Sequence, residues 1–380
     1  MHDIDLLIVG AGPVGCIVAE RAAQLRGWRS LIVDKRNHIA GNCHDRYHDS
    51  GVLIHSYGPH YFRTGNSRLY GYLSNFTDWV PGHYFVKSFL GGQLYPFPIN
   101  LTTLEMFFGS QLDADSAQGL LADLAIPNPA PANSEEFVLS RVGTRLYEAF
   151  YLGYTQKQWG VHPRHLAASV CGRIPVRLNR DERYVDHPYQ VMPAHGYTRL
   201  FERMIDHPSI HVLLQTDFEQ IRRAIKPKIA TVYCGPVDQY FDCCLGKLPW
   251  RSLEFEFRPF KEEFVQPCVQ INYPSDFDYT RSVEIKHATG QKHHHTVVSY
   301  EYPRAQGDPY YPIPSTESAE LYGRYNLLAE REQADGSVFF AGRLAKYRYL
   351  NMDEAMESAL ATFEQISVRH GTALDALQGY

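Results

Sequence analysis

Residues 6–34 read LLIVGAGPVGCIVAERAAQLRGWRSLIVD. Two short apolar, β-rich runs, Leu6 to Val9 and Ser30 to Val33, bracket GAGPVG at 10–15 and a stretch from Val14 to Leu25 with the Ile/Val/Ala spacing of a packed helix. Strand, glycine turn, helix, strand and acid within about thirty residues is the opening βαβ of a dinucleotide fold. Gly10 permits the tight turn, Gly12 lets the backbone approach a pyrophosphate, and Gly15 lets the helix pack closely on the strand. The helix N-terminus offers its amide hydrogens to the anion. Asp34 stands where a carboxylate accepts hydrogen bonds from ribose hydroxyls and disfavours a 2′-phosphate, so FAD or NAD fits better than NADP. A glycine-rich turn in an unrelated α/β core would leave Asp34 unexplained.

The chain around this stretch, 380 residues, is too long for one ordinary domain. With 44% hydrophobic and 21% charged residues it has the composition of a globule, not of a disordered, collagen-like or coiled-coil chain. Lys and Arg number 37 against 42 Asp and Glu, a net of -5 that argues against a polyanion-binding surface and hence against nucleic acid as partner. Any phosphate must be held locally. The 26 tyrosines exceed the 20 phenylalanines, so many rings carry a polar tip, a weak hint of a wet, ring-binding interior. Seven cysteines without a CxxC pair give neither a disulfide framework nor a zinc site. His293-His294-His295 points its rings to alternate faces with no carboxylate or cysteine at ligand spacing, so no metal is expected. Acidic residues precede the first apolar run where a signal peptide would be basic, and no segment reaches the roughly 18 apolar residues of a membrane span. The expected location is the cytoplasm.

Further along, Thr102-Thr103-Leu104-Glu105 resembles a capping box, and Asn133-Ser134-Glu135-Glu136 precedes another apolar-periodic run, so residues 100–150 read as a small helical domain. Pro127, Pro129 and Pro131 mark a loop between its helices. From about 184 to 330 the pattern turns strand-like, with Phe264-Val265-Gln266 and Thr296 to Tyr300 as examples, which suggests an antiparallel sheet. Ser337 to Arg343 reads as a last strand delivering Gly342 and Arg343 to a cofactor edge, and Met352 to Ser367 as an amphipathic helix. The expected fold class is α/β: a Rossmann-like FAD-binding domain with an inserted small helical domain and an antiparallel β-sheet domain. Its expected parts are residues 1–80, completed by 205–245 and 335–380, for the dinucleotide; 100–150 for the helices and a mobile substrate loop; and 151–204 with 246–334 for the substrate sheet.

HIAGNC at 38–43, YGPHYFRT at 57–64, FPINL at 97–101, YTQKQWG at 154–160, GRIPVR at 172–177, YTR at 279–281, PYYPI at 309–313 and GRLAKYRYLNMD at 342–353 together resemble the UDP-galactopyranose mutase family. They run in that family's order over nearly the whole chain. The resemblance implies an isomerase that interconverts pyranose and furanose forms of a nucleotide-linked sugar, for cell-surface polysaccharide or glycoconjugate synthesis. It also implies reduced FAD as catalyst, its N5 forming an adduct with the sugar as the nucleotide diphosphate leaves, with NADH or NADPH as reductant and a homodimer as assembly. Since the cofactor carries the covalent chemistry, the protein need only bind, orient and stabilise charge, and no Ser/His/Asp triad or paired catalytic carboxylate motif is found.

By the same resemblance Arg173 and Arg281 occupy the diphosphate-binding positions, where guanidinium forks match phosphate oxygens. Tyr154, Tyr184, Tyr311 and Tyr349 surround the diphosphate and Trp159 lines the sugar pocket. Phe150, Tyr151 and Asn272 fall near the nucleobase and ribose. Gly10, Gly12, Pro13, Gly15, Asp34, Lys35, Gly41, Asn42, His60, Gly342, Arg343, Tyr349 and Met352 fall to the cofactor, with His60 and Arg63 beside the reacting centre. Three positions depart from the family's usual pattern: Ala40 for a glycine, Arg63 for a histidine and Asn351 for an aspartate. The last two change charge near the sugar, and leave UDP-galactose and another UDP-, dTDP- or GDP-sugar both open. An FAD-dependent amine-oxidase-like oxidoreductase accounts for the N-terminal motif equally well, though not for YTQKQWG or the paired arginines. A flavin-retaining binder that has lost turnover is the non-catalytic alternative.

Overall fold

The computed structural model describes residues 3–371 and 375–377. Strand β1 (Leu6–Val9), helix α1 (Pro13–Arg26) and strand β2 (Ser30–Val33) form as the opening motif requires. The two strands pair in parallel at the centre of a five-stranded sheet, in the order Ile210–Leu213, β2, β1, Ala230–Tyr233, Val338–Phe340, every pairing parallel. Such a sheet is covered on both faces, which is why its strands read as unbroken apolar runs. On one face α1 lies against Met352–Arg369 and Tyr197–Ile205, burying Ile17, Val18, Phe201 and Phe363. On the other, Tyr325 and Ala329 of Thr316–Gln333 pack with Phe218, Tyr240 and Phe340.

A second sheet of seven strands runs Tyr311–Pro312, Trp250–Phe260, Thr296–Arg304, Arg281–Val283, Gln270–Asn272, Val86–Leu90, Gln93–Phe97. It is antiparallel except where Gln270–Asn272 meets Val86–Leu90. Two of its strands therefore come from before the helices, outside the expected 151–204 and 246–334. A three-stranded antiparallel sheet of Phe62–Thr64, Tyr189–Pro193 and Trp79–Pro81 sits beside these two. The helices start at Leu101 and continue past residue 150, through a turn of π-helix at Tyr147–Leu152 and Gly153–Trp159, to Ser169–Gly172.

Three local expectations are corrected. The helix at Leu101–Phe108 is capped by Asn100, whose side chain accepts from the Thr103 amide, so no capping box forms at Thr102–Glu105. Glu105 turns instead to Arg180 and the Leu112 amide. Phe264-Val265-Gln266 is irregular, because the amides of Val265 and Gln266 donate to the buried Glu284 carboxylate and not to a strand neighbour. The span 184–330 is not uniformly strand-like: it includes the helices Tyr197–Ile205 and Thr316–Gln333 and two strands of the parallel sheet. By contrast Asn133 caps Ser134–Leu146 by accepting from the Glu136 amide, as its sequence indicates.

Candidate functional site

At the carboxyl end of β1 the chain turns through Gly10, at φ +115, into α1. A methyl on Gly15 would sit 2.0 Å from the Gly10 carbonyl oxygen, and one on Gly41 would meet the Gly12 Cα at 2.9 Å. The two glycine loops touch backbone to backbone. No side chain caps α1, which starts with Gly12 and Pro13, so its first amides are left for an anion. Asp34 ties the turn together, accepting from the Ala11 amide at 2.8 Å and the Arg36 amide at 2.9 Å. Its two oxygens retain lone pairs for a ribose.

These groups open onto a solvent-connected cavity. Of the expected cofactor residues, Gly10, Gly12, Pro13, Gly15, Asp34, Lys35, Gly41, Asn42, His60, Gly342, Arg343 and Met352 all line it. So do Arg36, Cys43, Thr216, Cys234, Asp308 and Asn351, which sequence reasoning either missed or assigned elsewhere. Asp308 closes the acid end, pairing with Lys35 at 3.4 Å and Arg36 at 3.6 Å, and Arg36 donates to Asn42 at 2.9 Å. Uncapped amides, a backbone cradle that a Cβ would fill and an acid at the far end suit a dinucleotide such as FAD.

His60 Nδ1 donates to the Gly58 carbonyl at 2.9 Å, and its amide donates to His55 Nδ1 at 3.1 Å. Burial, then the neighbouring His55, push His60 down to about 3, so the ring is neutral and Nε2 carries a lone pair. Arg63, on the strand Phe62–Thr64, donates from Nη2 to Asn351 Oδ1 at 3.0 Å. Asn351 is the N-cap of Met352–Arg369, with its own amide on Glu354 at 2.6 Å. One neutral amide thus joins a permanent cation to a helix N-terminus on the cavity wall.

Next to the cavity lies a cleft lined by cations and phenols. Arg173 follows the short helix Ser169–Gly172, and its guanidinium carbon lies 4.2 Å from the Tyr349 ring centre. Arg343 reaches the same ring at 5.4 Å and Tyr311 at 5.6 Å, anchored on the Leu350 carbonyl at 2.6 Å. It therefore belongs to both cavity and cleft. Arg281 donates from Nε to Glu301 at 2.6 Å; its side chain is 15% exposed and that of Glu301 is 0%. Burial opposes the charge on both partners: at Glu301 it outweighs the attraction of Arg281 and leaves the carboxyl above its ordinary value, whereas attraction to Glu301 holds the Arg281 guanidinium well above its own. Tyr311 and Tyr349 stack 5.6 Å apart, with Trp159 6.1 Å from the first and 6.2 Å from the second. Tyr154 and Tyr184 feel the same arginines. Arg173 is exposed and Tyr349 half-buried, so this is the wall of an open cleft.

Asn272 faces Arg281 across the sheet and accepts from Gln270 at 2.7 Å, which in turn accepts from Tyr84 at 2.6 Å. Phe150 and Tyr151 are buried in the helical core, Phe150 against Tyr95, Phe97 and Phe107, Tyr151 against Phe97, which also meets Tyr184. Sequence reasoning missed Glu301 and Tyr84. Thr296 to Ser299 are buried on both faces, and only beyond them does Glu301 stay buried between the half-buried Tyr300 and Tyr302, the reverse of what the apolar alternation of Val298, Tyr300 and Tyr302 indicates, so Glu301 carries no usable signal in the sequence. Tyr84 carries none either.

Residues 149–349 match the family model for UDP-galactopyranose mutase, and residues 8–76 that for an NAD(P)-binding Rossmann-like domain. The chain is 38% identical to a probable UDP-galactopyranose mutase of Klebsiella pneumoniae, over 96% of this chain and 95% of that protein. It is 34% identical to dTDP-fucopyranose mutase of Escherichia coli, over 93% and 96%. A crystal structure of reduced UDP-galactopyranose mutase superposes with a TM-score of 0.76 over 99% of this chain and 98% of that one, at 15% identity. Putrescine oxidase shares the fold alone, with a TM-score of 0.62 at 12% identity over 97% and 100%.

Proposed function

The chain belongs to the UDP-galactopyranose mutase family, a family of flavin-dependent isomerases that interconvert pyranose and furanose forms of nucleotide-linked sugars, and on that premise we propose how its own residues do so. The observation that carries the assignment is the cleft in which Arg173, Arg281 and four tyrosines adjoin, through Arg343, the dinucleotide cavity. When bound, reduced FAD supplies the nucleophilic nitrogen on which ring exchange depends. Arg173 and Arg281 grip the diphosphate of the substrate, and their grip tightens as charge develops on it during departure, which stabilises the transition state more than the ground state. Tyr154, Tyr184, Tyr311 and Tyr349 donate phenolic hydrogens to phosphate oxygens, while Trp159 walls the sugar. His60, neutral, offers Nε2 as an acceptor to the cofactor without adding charge. Phe150, Tyr151 and Asn272 shape the nucleoside end from behind the wall. The unit of residues 1–80, 205–245 and 335–380 takes the dinucleotide, and the other two take the sugar nucleotide.

Arg63 and Asn351 bear on which sugar is taken, because together they set the charge where the last helix meets the cavity. The relatives act, by name, on UDP-galactopyranose and dTDP-fucopyranose, so both are candidates here. Incubating dithionite-reduced protein with a panel of UDP-, dTDP- and GDP-sugars, resolved by chromatography, is the test. One substrate is expected to give a new peak of identical mass, with no stoichiometric consumption of reductant and none formed by the oxidised protein. Activity undiminished with fully oxidised flavin overturns the assignment. If the pair excludes UDP-galactose, Arg63→His with Asn351→Asp raises its conversion. NADH or NADPH as donor, a homodimer and a cytoplasmic location complete the proposal; among the described residues no helix is long and apolar enough to cross a membrane.

A further inference from the structure

The cleft is out of charge balance. Arg173, Arg281 and Arg343 converge on it, and the carboxylate facing them, Glu301, is committed to Arg281. Arg343 is held by the carbonyls of Leu350 and Tyr310, and the groups acting on Arg173 are tyrosines. Arg63, near Tyr184, adds a fourth cation that donates to the neutral Asn351 amide and also feels the half-buried Asp353 carboxyl. The neutral His60 and the Cys43 and Cys171 thiols, both raised by burial, also lie in the field of these arginines, and the remaining ionisable groups packed here are phenols: Tyr84, Tyr154, Tyr184, Tyr311 and Tyr349. Among these Tyr349 alone has two guanidinium carbons over its ring, at 4.2 Å and 5.4 Å.

We propose that Tyr349 is the resident counter-anion of the ligand-free cleft: its O–H bond breaks there, the proton going to water, and forms again with a proton from solvent when a nucleoside diphosphate settles between Arg173 and Arg281. Binding at this site is thereby coupled to uptake of one proton. The inference rests on the assignment of that cleft to a diphosphate. Burial alone would push the Tyr349 phenol up, but Arg173, then Arg343 and Arg281, override it and bring it down to about 8. Tyr154, Tyr184 and Tyr311, raised by the same burial, stay protonated. A diphosphate, itself fully ionised above a pH of about 7, cancels the field of the arginines and returns Tyr349 to an ordinary phenol that donates to a phosphate oxygen. Above a pH of about 8 the ligand must displace a phenolate, so its affinity falls by up to about tenfold per pH unit.

The experiment is a pH titration of tyrosinate absorbance in the oxidised holoenzyme, for the wild type, Tyr349→Phe, Tyr311→Phe and Arg173→Gln. A step of one tyrosine near pH 8 is expected in the wild type and Tyr311→Phe, below the main rise near pH about 10. It is absent from Tyr349→Phe and moves up by at least about one unit in Arg173→Gln. UDP, dTDP or inorganic pyrophosphate moves it up likewise, and weakly buffered solution at a pH of about 9 shows most of a proton taken up per UDP or dTDP bound. A wild type with no step below the main rise, a step that survives Tyr349→Phe, or a step that none of the three anions shifts overturns the proposal. Because the ligand-free step needs no substrate, a failure of sugar conversion with the step intact counts against the mutase assignment and leaves the ionisation of Tyr349 standing.

Discussion

Two arginines that motif position makes equivalent differ at the level of the residue. Arg173 is solvent-exposed and neighbours phenols, whereas Arg281 is the sole ion-pair partner shown for the fully buried Glu301. Removing Arg281 strands a buried carboxylate, and Arg281→Ala is expected to lower unfolding free energy by about 3–5 kcal/mol. Arg173→Ala is expected to change it by no more than about 0.5 kcal/mol, like other surface substitutions. Each should lower kcat/KM by roughly 10- to 150-fold, the loss of about 1.5–3 kcal/mol of charge-assisted hydrogen bonding to the diphosphate. Urea denaturation with steady-state kinetics separates the two; equal loss of stability in both variants would refute the distinction. The motifs GRIPVR and YTR name both arginines, but neither names Glu301, which lies twenty residues away on an adjacent strand and meets Arg281 only through sheet register.

At the scale of the element, the glycine turn before α1 separates folding from cofactor binding. A Cβ at Gly15 would collide at 2.0 Å with a backbone oxygen, while one at Gly12 has its nearest neighbour at an ordinary 3.7 Å. Gly15→Ala must therefore push α1 off β1 and is expected to destabilise by at least about 2 kcal/mol. Gly12→Ala should keep the wild-type melting temperature of the cofactor-free protein to within a few degrees yet lose most bound flavin, because the methyl stands where the backbone must approach the pyrophosphate. Flavin absorbance per protein and thermal melting of the apoprotein check both; a Gly12→Ala protein that purifies fully yellow would be contrary to this account. The element was legible because glycine spacing, apolar period and terminal acid are all local. The capping box at Thr102 misled because Asn100, two residues earlier, caps the helix through the Thr103 amide and so places Thr102 inside the first turn. Phe264-Val265-Gln266 misled because Glu284, remote in sequence, claims its amides.

The whole molecule buries histidines that its chain would otherwise titrate. Burial pushes His55 down to about 3, and His60 likewise, while unfolded histidine takes a proton near pH about 6.5. Below that pH the unfolded chain binds more protons than the native one, so stability present above a pH of about 6.5 is lost as pH falls toward about 3, with a slope of about 1.4 kcal/mol per pH unit for each residue. Urea denaturation at pH 7, 6 and 5 should show this decline, and His55→Gln should flatten part of it; a midpoint constant across that range would exclude it. The sequence by itself determined the βαβ opening, the three classes of element and the family, since these rest on local period and on motifs that keep their order along the chain. Tertiary structure alone decided that Val86–Leu90 and Gln93–Phe97 join the second sheet, that Phe150 and Tyr151 face the helical core, and that Tyr349 lies beneath two guanidinium groups. Each of these depends on which distant segments the burial of apolar surface brings together, and so on distances and fields that no local pattern records.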